Sequence, residues 1–276
     1  MRLDSHQHFW KFDPIRDTWI NDNMEILKQD FLPEKSLEVL KKNNIDTCIA
    51  VQADQSEEET FFLLDLAKQY DFISGIVGWI DLKGENLNNR LDYFAQFSLI
   101  KGFRHILQNE PNDFILDKKF INGISYLQKY NFTYDILIYN QQLENIITLV
   151  KKFPNQKFVL DHLGKPLISQ GILEPWKKNI SQLAKCENVS CKISGMITEA
   201  KLAKWQEKDF WPYLDTVVEC FGIDRVFYGS DYPVCLLSGS YQDQINIVQN
   251  YFNHYSLTEK NKIFGENASV FYHINI

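Results

Sequence analysis

The sequence predicts an α/β protein, a single (β/α)8 TIM barrel that extends over residues 1–276. Short apolar runs rich in Val, Ile and Phe recur at intervals of about 25 to 45 residues, the spacing expected of successive βα units. Runs of this kind are typical of parallel strands that are buried on both faces. Apolar residues three or four positions apart lie between most of them, as on one face of a helix. This repetition, in a chain of this length, favours a barrel over an open, doubly wound sheet.

The strands follow one another without a linker, because no Pro-, Gly- or Ser-rich tract, charge block or near-identical repeat interrupts the series. We therefore expect one domain. The eight predicted strands are Arg2–His8, Asp46–Gln52, Phe72–Ile80, Leu99–Ile106, Phe132–Ile138, Lys157–His162, Val189–Ser194 and Arg225–Ser230.

Helix signals lie between the strands. Pro33 and Pro212 stand where a first helical turn tolerates proline, and Ser56 precedes a Glu-rich first turn, as an N-cap does. Three helix faces are marked by apolar pairs at helical spacing: Leu37 with Leu40, Phe61 with Leu64, and Ile124 with Leu127.

Two regions depart from this alternation. The segment Phe9–Phe31 has neither helical nor strand periodicity, and we expect it to form part of a lid after the first strand. Two helical stretches, Tyr241–His254 and Thr258–His273, follow the last strand. Within the second stretch, Gly265 predicts a helix end and Asn267 a fresh helix start.

Composition excludes several classes of protein. The net charge of −7 and the pI of about 5.4 disfavour a nucleic-acid partner. No apolar run reaches the roughly 18 residues of a membrane span, and the N-terminus lacks the apolar core of a secretory signal. The five Cys show no metal-binding spacing, so we expect reduced thiols. These features predict a cytoplasmic protein with a small-molecule partner and no membrane partner.

Four of the six His fall at predicted carboxyl ends of strands, where the active site of a TIM barrel lies. They are His6, His8, His105 and His162. Alternate residues of a strand point the same way, so His6 and His8 are both expected to face the barrel axis. Together they would bind a divalent cation or frame a substrate carbonyl.

The ends of strands 6 and 8 add further polar groups. Asp231 is followed by Pro233, which stiffens the loop and fixes the height of the carboxylate at the barrel mouth. His162 is expected to point into the mouth. Its neighbour Asp161 is expected to point away, toward a helix or a supporting partner.

The sequence motifs at the strand ends, taken together, resemble those of the amidohydrolase superfamily, in its branch of sugar-lactone hydrolases of the L-fuconolactonase and L-rhamnonolactonase type. The motifs are Asp4-Ser5-His6-Gln7-His8-Phe9-Trp10, Lys101-Gly102-Phe103-Arg104-His105, Asp161-His162-Leu163-Gly164-Lys165-Pro166, Cys191-Lys192-Ile193-Ser194-Gly195 and Gly229-Ser230-Asp231-Tyr232-Pro233-Val234-Cys235. They cover nearly the whole predicted barrel, in order.

The resemblance implies a (β/α)8 barrel, hydrolysis of a lactone or similar ester, and catalytic groups on strands 1, 6 and 8. Two features depart from the family pattern. Strand 5 reads Phe132-Thr133-Tyr134-Asp135-Ile136, with no His or Lys, so we expect no binuclear metal site. Tyr232 stands where relatives usually carry Trp, which predicts a pocket that differs in detail.

We therefore interpret the protein as a hydrolase that opens a sugar-derived aldonolactone to the aldonic acid. Asp231 would be the general base, with His162 and His105 as further catalytic groups. His6, His8, His162 and Asp231 would hold one divalent ion, with zinc favoured by this ligand set. Whether the ion is present, or whether the histidines act alone as hydrogen-bond donors, stays open.

Trp10, Arg104 and Gln108 are the predicted substrate-binding residues, with Trp10 stacking on a sugar face. An alternative is a superfamily lactonase or decarboxylase for a carboxylated substrate such as a pyrone dicarboxylate. The chain has only five Arg to clamp carboxylates, which disfavours it. A barrel that only binds a sugar acid is a third interpretation. The sugar, the ring size and any homo-oligomer stay open.

Overall fold

The computed structural model describes residues 1–274, and within this range eight parallel strands form one sheet in chain order. Each strand falls inside a predicted run, so the predicted fold class is confirmed. The strands are β1 (Leu3–Gln7), β2 (Thr47–Val51), β3 (Ile73–Gly78), β4 (Ile100–Ile106), β5 (Thr133–Leu137), β6 (Phe158–Leu160), β7 (Val189–Ile193) and β8 (Val226–Tyr228).

The sheet closes at the carboxyl end of the strands. Gln7 and Tyr232 form a parallel bridge just beyond β8. The backbone N–H of His8 donates to the carbonyl of Tyr232 (2.8 Å), and the N–H of Asp231 donates to the carbonyl of His6 (2.9 Å). Closure therefore joins the His6-Gln7-His8 triplet directly to the Asp231 loop.

Helices surround the barrel, and their starts follow the predicted signals. Pro33 begins α1, and the Ser56 hydroxyl accepts from the N–H of Glu59 (3.1 Å) to cap α2. The helices are α1 (Pro33–Lys42), α2 (Glu57–Gln69), α3 (Leu87–Phe94), α4 (Lys118–Leu127), α5 (Leu143–Val150), α6 (Trp176–Leu183), α7 (Met196–Glu199), α8 (Trp211–Phe221), α9 (Tyr241–Tyr251), α10 (Leu257–Asn261) and α11 (Asn267–Tyr272).

The predicted break at Gly265 is wrong. A π-helical turn, Lys262–Glu266, joins α10 to α11 without an interruption. A Cβ at Gly265 would lie 2.3 Å from the carbonyl oxygen of Met1. Gly265 is thus required by the close approach of the Met1 backbone, and not by a helix end.

The segment Phe9–Phe31 is a loop whose two ends are held together. Trp10 and Phe31 exchange backbone hydrogen bonds of 3.0 and 2.9 Å. Between them a short 3-10 helix, Asp22–Leu27, lies above the barrel mouth. Across residues 1–274, no helix is both long enough and apolar enough to cross a membrane.

Candidate active site

His6 and His8 bring two imidazoles together at the carboxyl end of β1. Their Nε2 atoms are 3.2 Å apart, and both side chains are buried. This is the orientation that strand alternation predicts. The Nδ1 of His8 lies 2.7 Å from the carbonyl oxygen of Val51 and donates to it, which directs Nε2 toward the cluster.

The Asp231 carboxylate lies among the histidines. Its Oδ1 is 3.4 Å from Nε2 of His8 and 3.8 Å from Nε2 of both His6 and His162. Burial raises the pKa of Asp231, but the neighbouring histidines outweigh it and hold the pKa below its ordinary value. Asp231 is therefore ionised at neutral pH.

The predicted outward direction of Asp161 is wrong. Val159 packs in a separate apolar cluster, whereas Phe158 and Leu160 pack in the larger core, so alternation along β6 places Asp161 on the same inward face as Val159. His162 and Leu163 have positive φ values of 54° and 55°, so the chain turns within the site and His162 faces inward too. Asp161 Oδ1 lies 3.4 Å from Nδ1 of His6, and His162 Nδ1 lies 2.8 Å from the Ser194 hydroxyl. Burial lowers the pKa of His162 to about 4, so this ring is neutral at pH 7.

A layer of buried charges lies below the histidines. Lys192 Nζ contacts Asp135 Oδ2 (2.5 Å), Asp161 Oδ1 (3.0 Å) and Nδ1 of His6 (3.1 Å). The Tyr272 hydroxyl donates to Asp135 (2.7 Å). Sequence reasoning did not assign Lys192 and Asp135 to this layer. The sequence did contain a signal for them, because each is a charged residue inside an otherwise apolar, buried strand. Such a charged residue must be paired.

Arg104 connects the charged layer to the pocket. Its Nη1 lies 3.2 Å from Nε2 of His6 and 3.1 Å from Asp161 Oδ2, and Nη2 donates to the carbonyl of Gln52. Only 3% of the residue is exposed. Arg104 is thus in the pocket lining, as predicted, but most of its guanidinium is already bound to the protein.

A cavity of about 720 Å³ opens above the cluster. It is the size of a small-molecule site. His8, His162, Asp231 and Arg104 lie in its lining together with the predicted Gln108. Residues that sequence reasoning did not assign to the pocket complete its walls, among them Trp19, Asn21, Tyr139, Lys165 and Glu199.

Trp10 does not line this cavity. It is 2% exposed, its Nε1 donates to the carbonyl of Gln29 (2.9 Å), and its ring packs edge-on against Trp19 and Phe31. The structure therefore places Trp10 outside the lining where the predicted stacking would occur, because backbone pairing with Phe31 holds the ring beneath the loop. Trp19 takes the wall position instead. Tyr232 is also buried, against Phe31.

His105 is likewise placed away from the cluster. It alternates with the inward-facing Arg104 along β4, so its ring points out of the barrel. Its Nε2 lies 2.9 Å from Glu110 Oε1, and the ring stacks on Phe114 with centroids 5.0 Å apart. The structure therefore does not support the predicted contact of His105 with the substrate.

Three of the four predicted metal ligands, His6, His8 and Asp231, have donor atoms close enough together to hold a single divalent ion. Four ligands about 2.1 Å from zinc at tetrahedral angles are separated by about 3.4 Å. The donor atoms of His6, His8 and Asp231 are separated by 3.2, 3.4 and 3.8 Å. His162 Nε2 lies 3.8 Å from Asp231 Oδ1 but does not belong to this group of mutually close donors. The rings of His8 and His162 each hold a partner on Nδ1, which orients Nε2 as a metal ligand needs.

A closed parallel barrel with this His and Asp cluster at the strand carboxyl ends defines a TIM-barrel enzyme. A family model described as Amidohydrolase matches residues 3–274, and the chain belongs to the amidohydrolase family.

Two relatives of this chain are named as sugar lactonases. An L-fucono-1,5-lactonase of Burkholderia multivorans is 34% identical over 281 residues, covering 98% of this chain and 95% of that protein. An L-fucono-1,5-lactonase of Burkholderia ambifaria is 30% identical, covering 88% and 83%. A crystal structure of an amidohydrolase from Burkholderia multivorans with bound zinc has 33% identity and a TM-score of 0.96, with both chains fully covered.

Proposed function

We propose that this protein hydrolyses a sugar-derived aldonolactone to the open aldonic acid. The observation that carries the proposal is an ionised carboxylate, Asp231, among three histidines in the lining of a pocket of about 720 Å³. The names of the two Burkholderia lactonases support a sugar lactone as the substrate class.

Asp231 is proposed as the general base. Its Oδ1 faces the histidines, whereas Oδ2 makes no hydrogen bond or ion pair with any described residue. Oδ2 can therefore accept a proton from a water as that water attacks the lactone carbonyl. When the ring C–O bond breaks, the protonated Asp231 returns this proton to the leaving alkoxide. Ionisation of the acid product then releases one proton to solution.

His6, His8, His162 and Asp231 would hold a divalent ion. When bound, such an ion lowers the pKa of a nearby water and polarises the substrate carbonyl. The similar amidohydrolase from Burkholderia multivorans with bound zinc supports such an ion in this protein.

A carboxylated substrate such as a pyrone dicarboxylate is disfavoured by the charges of the pocket. Arg104 already contacts Asp161, His6 and the carbonyl of Gln52. Lys165 lies 3.6 Å from Glu199, whose charge opposes a second carboxylate. A neutral, hydroxyl-rich lactone fits these groups better.

A lactone panel read with a pH indicator tests the proposed reaction. The panel holds five- and six-membered lactones of L-fuconic, L-rhamnonic, galactonic and arabinonic acids, with a pyrone dicarboxylate beside them. We expect proton release above the buffer rate for at least one neutral lactone and none for the dicarboxylate. Measurable binding without acceleration for every lactone would contradict the proposal and indicate a non-catalytic barrel.

Removal of metal tests the ion separately. We expect chelator-treated protein, shown by elemental analysis to be metal-free, to lose at least about tenfold in kcat/KM and to regain it with Zn²⁺. Full activity in the metal-free protein would remove the ion from the mechanism and leave the histidines as hydrogen-bond donors.

A further inference from the structure

Lys165 and Glu199 form a charged pair in the pocket wall that the proposed mechanism does not use. Lys165 follows the turn after β6, and Glu199 is the last residue of α7. Their side chains are 17% and 21% exposed, so both groups are largely enclosed by the pocket. The elements that carry them place them on the side of the barrel formed by β6 and β7.

The two groups keep most of their hydrogen-bonding capacity free. Lys165 Nζ lies 3.6 Å from Glu199 Oε1, which is longer than a direct hydrogen bond. Within residues 1–274, neither the ammonium nor the carboxylate makes a hydrogen bond to another protein group. Nζ also lies 5.3 Å from the ring centroid of Tyr139, where a cation is favourable. Because both charged groups line the cavity and make no other hydrogen bond within the described residues, a ligand in the cavity can pair with them.

We propose that Lys165 and Glu199 together recognise two adjacent hydroxyl groups on the ring of the lactone. This inference rests on the proposed function and names the feature of the substrate that the pocket selects. Each hydroxyl is both a donor and an acceptor. One hydroxyl accepts from the Lys165 ammonium, and its neighbour donates to the Glu199 carboxylate.

The charges favour this ligand over an anionic group. A carboxylate or phosphate beside Lys165 would also approach Glu199, and like charges in a partly buried site repel strongly. A neutral diol satisfies the donor and the acceptor together. Gln108 adds a further polar group in the same lining, and its Oε1 is buried with no partner among the described residues.

A selectivity ratio tests the pair. The substrates are a hydroxylated six-membered aldonolactone and the unsubstituted δ-valerolactone, which has the same ester but no hydroxyl. We expect E199Q and K165M each to lower the ratio of their kcat/KM values by about 10- to 100-fold, mainly through the KM of the hydroxylated lactone. The surface changes E187Q and K201M, which alter charge in the same way, should leave the ratio at its wild-type value.

A purely structural ion pair predicts a different result. If E199Q and K165M lower the melting temperature, or lower both kcat/KM values equally, without changing the ratio, the inference is overturned. E199D serves as a second variant if E199Q does not fold, because it keeps the charge and moves it. A wild-type ratio in the folded E199D protein would likewise count against the pair.

Binding without turnover separates this inference from the proposed function. The probe is a 1,5-anhydrohexitol, a ring polyol that has no lactone bond, and its affinity is measured by calorimetry. Weaker binding to E199Q and K165M than to wild type supports the pair even if the wild type opens no lactone, in which case the hydrolase proposal alone fails. Equal binding to all three proteins, beside an active wild type, rejects the pair alone.

Discussion

At the scale of single residues, the geometry of the site depends on which side-chain atoms already make hydrogen bonds within the protein. His8 donates from Nδ1 to Val51, and His162 is paired through Nδ1 with Ser194. The Nε2 atoms of both rings therefore face Asp231 Oδ1. Asp231 Oδ2 makes no hydrogen bond within residues 1–274 and is the oxygen that we propose as the general base.

The change D231N tests the base. We expect kcat/KM to fall by about 10²- to 10⁴-fold, because the amide cannot accept the proton, with little change in melting temperature. D65N, at an exposed helix position, is the matched control and should keep wild-type kinetics. Retention of more than about a tenth of wild-type turnover by D231N would show that another group is the base.

The two tryptophans of the loop after β1 should behave oppositely. Trp10 is a buried plug, so W10A should lower the free energy of unfolding by roughly 3–5 kcal/mol and leave the KM of the folded enzyme near normal. Trp19 lines the cavity, so W19A should raise KM with a smaller change in melting temperature. Denaturant melts and steady-state kinetics measure both. The reverse pattern would restore the sugar-stacking role to Trp10.

At the scale of elements, the turn after β6 decides the shape of the site. His162, Leu163, Gly164 and Lys165 all have positive φ values, from 49° to 69°. Such a run is unfavourable for residues other than glycine and is maintained by the surrounding packing. This turn places His162 in the cluster and Lys165 in the pocket wall. A regular strand would not direct these two side chains to those positions.

Gly195, at the end of β7, leaves room for this turn. A Cβ there would lie 2.5 Å from His162 Nδ1, and φ is +57°. We expect G195A to displace His162 and to lower kcat/KM by at least about tenfold, beyond the backbone strain of roughly 1–2 kcal/mol. G171A is the matched control, since φ is +66° and nothing lies within 4 Å of its Cβ. Equal kinetic effects of the two changes would contradict the role of Gly195.

At the scale of the whole molecule, the barrel interior combines a charged layer with a small apolar cluster that includes Val51, Val159 and Phe227, while the larger apolar core lies between strands and helices. Asp4, His6, Asp135, Asp161 and Lys192 are all fully buried. Burial of charged groups is unfavourable unless they are paired. The contacts of His6, Asp161 and Lys192 with one another, and of Lys192 with Asp135, link β1, β5, β7 and the end of β6. The geometry of the site therefore depends on the closure of the barrel.

Stability should depend on pH through Glu59, a buried residue of α2. Burial raises its pKa from 4.5 to about 7, although its Oε1 accepts from the N–H of Ala53 (3.1 Å). Because the folded-state pKa is the higher one, the contribution is fully present below about pH 4.5 and is lost as pH rises through 7.

Denaturant melts at pH 5 and pH 8 measure this contribution. We expect E59Q to reduce the loss of unfolding free energy between the two pH values, by at most about 3 kcal/mol, because glutamine keeps the acceptor and does not ionise. The exposed neighbour provides the control E58Q, which should melt like wild type. An E59Q protein with the full wild-type pH dependence would show that Glu59 does not titrate in this range.

The sequence by itself determined the strand positions and the position of the histidine cluster. Strand runs stand out because both faces of a parallel barrel strand are buried, and the direction of His6 and His8 follows from alternation along a strand. The motifs around Asp161-His162 and Asp231 carried the resemblance to the amidohydrolase family.

The tertiary structure alone decided the features that depend on contacts between distant segments. His162 faces inward beside Asp161 because the chain leaves strand geometry after Leu160, and Trp10 is buried because Phe31 pairs with its backbone. Position 265, inside a helical stretch, is a glycine because the Met1 backbone packs against it. Local pattern encodes which residues form an element and which face they present within it. It does not encode where a turn with positive φ directs the next side chain, or which remote segment covers it, since both depend on packing.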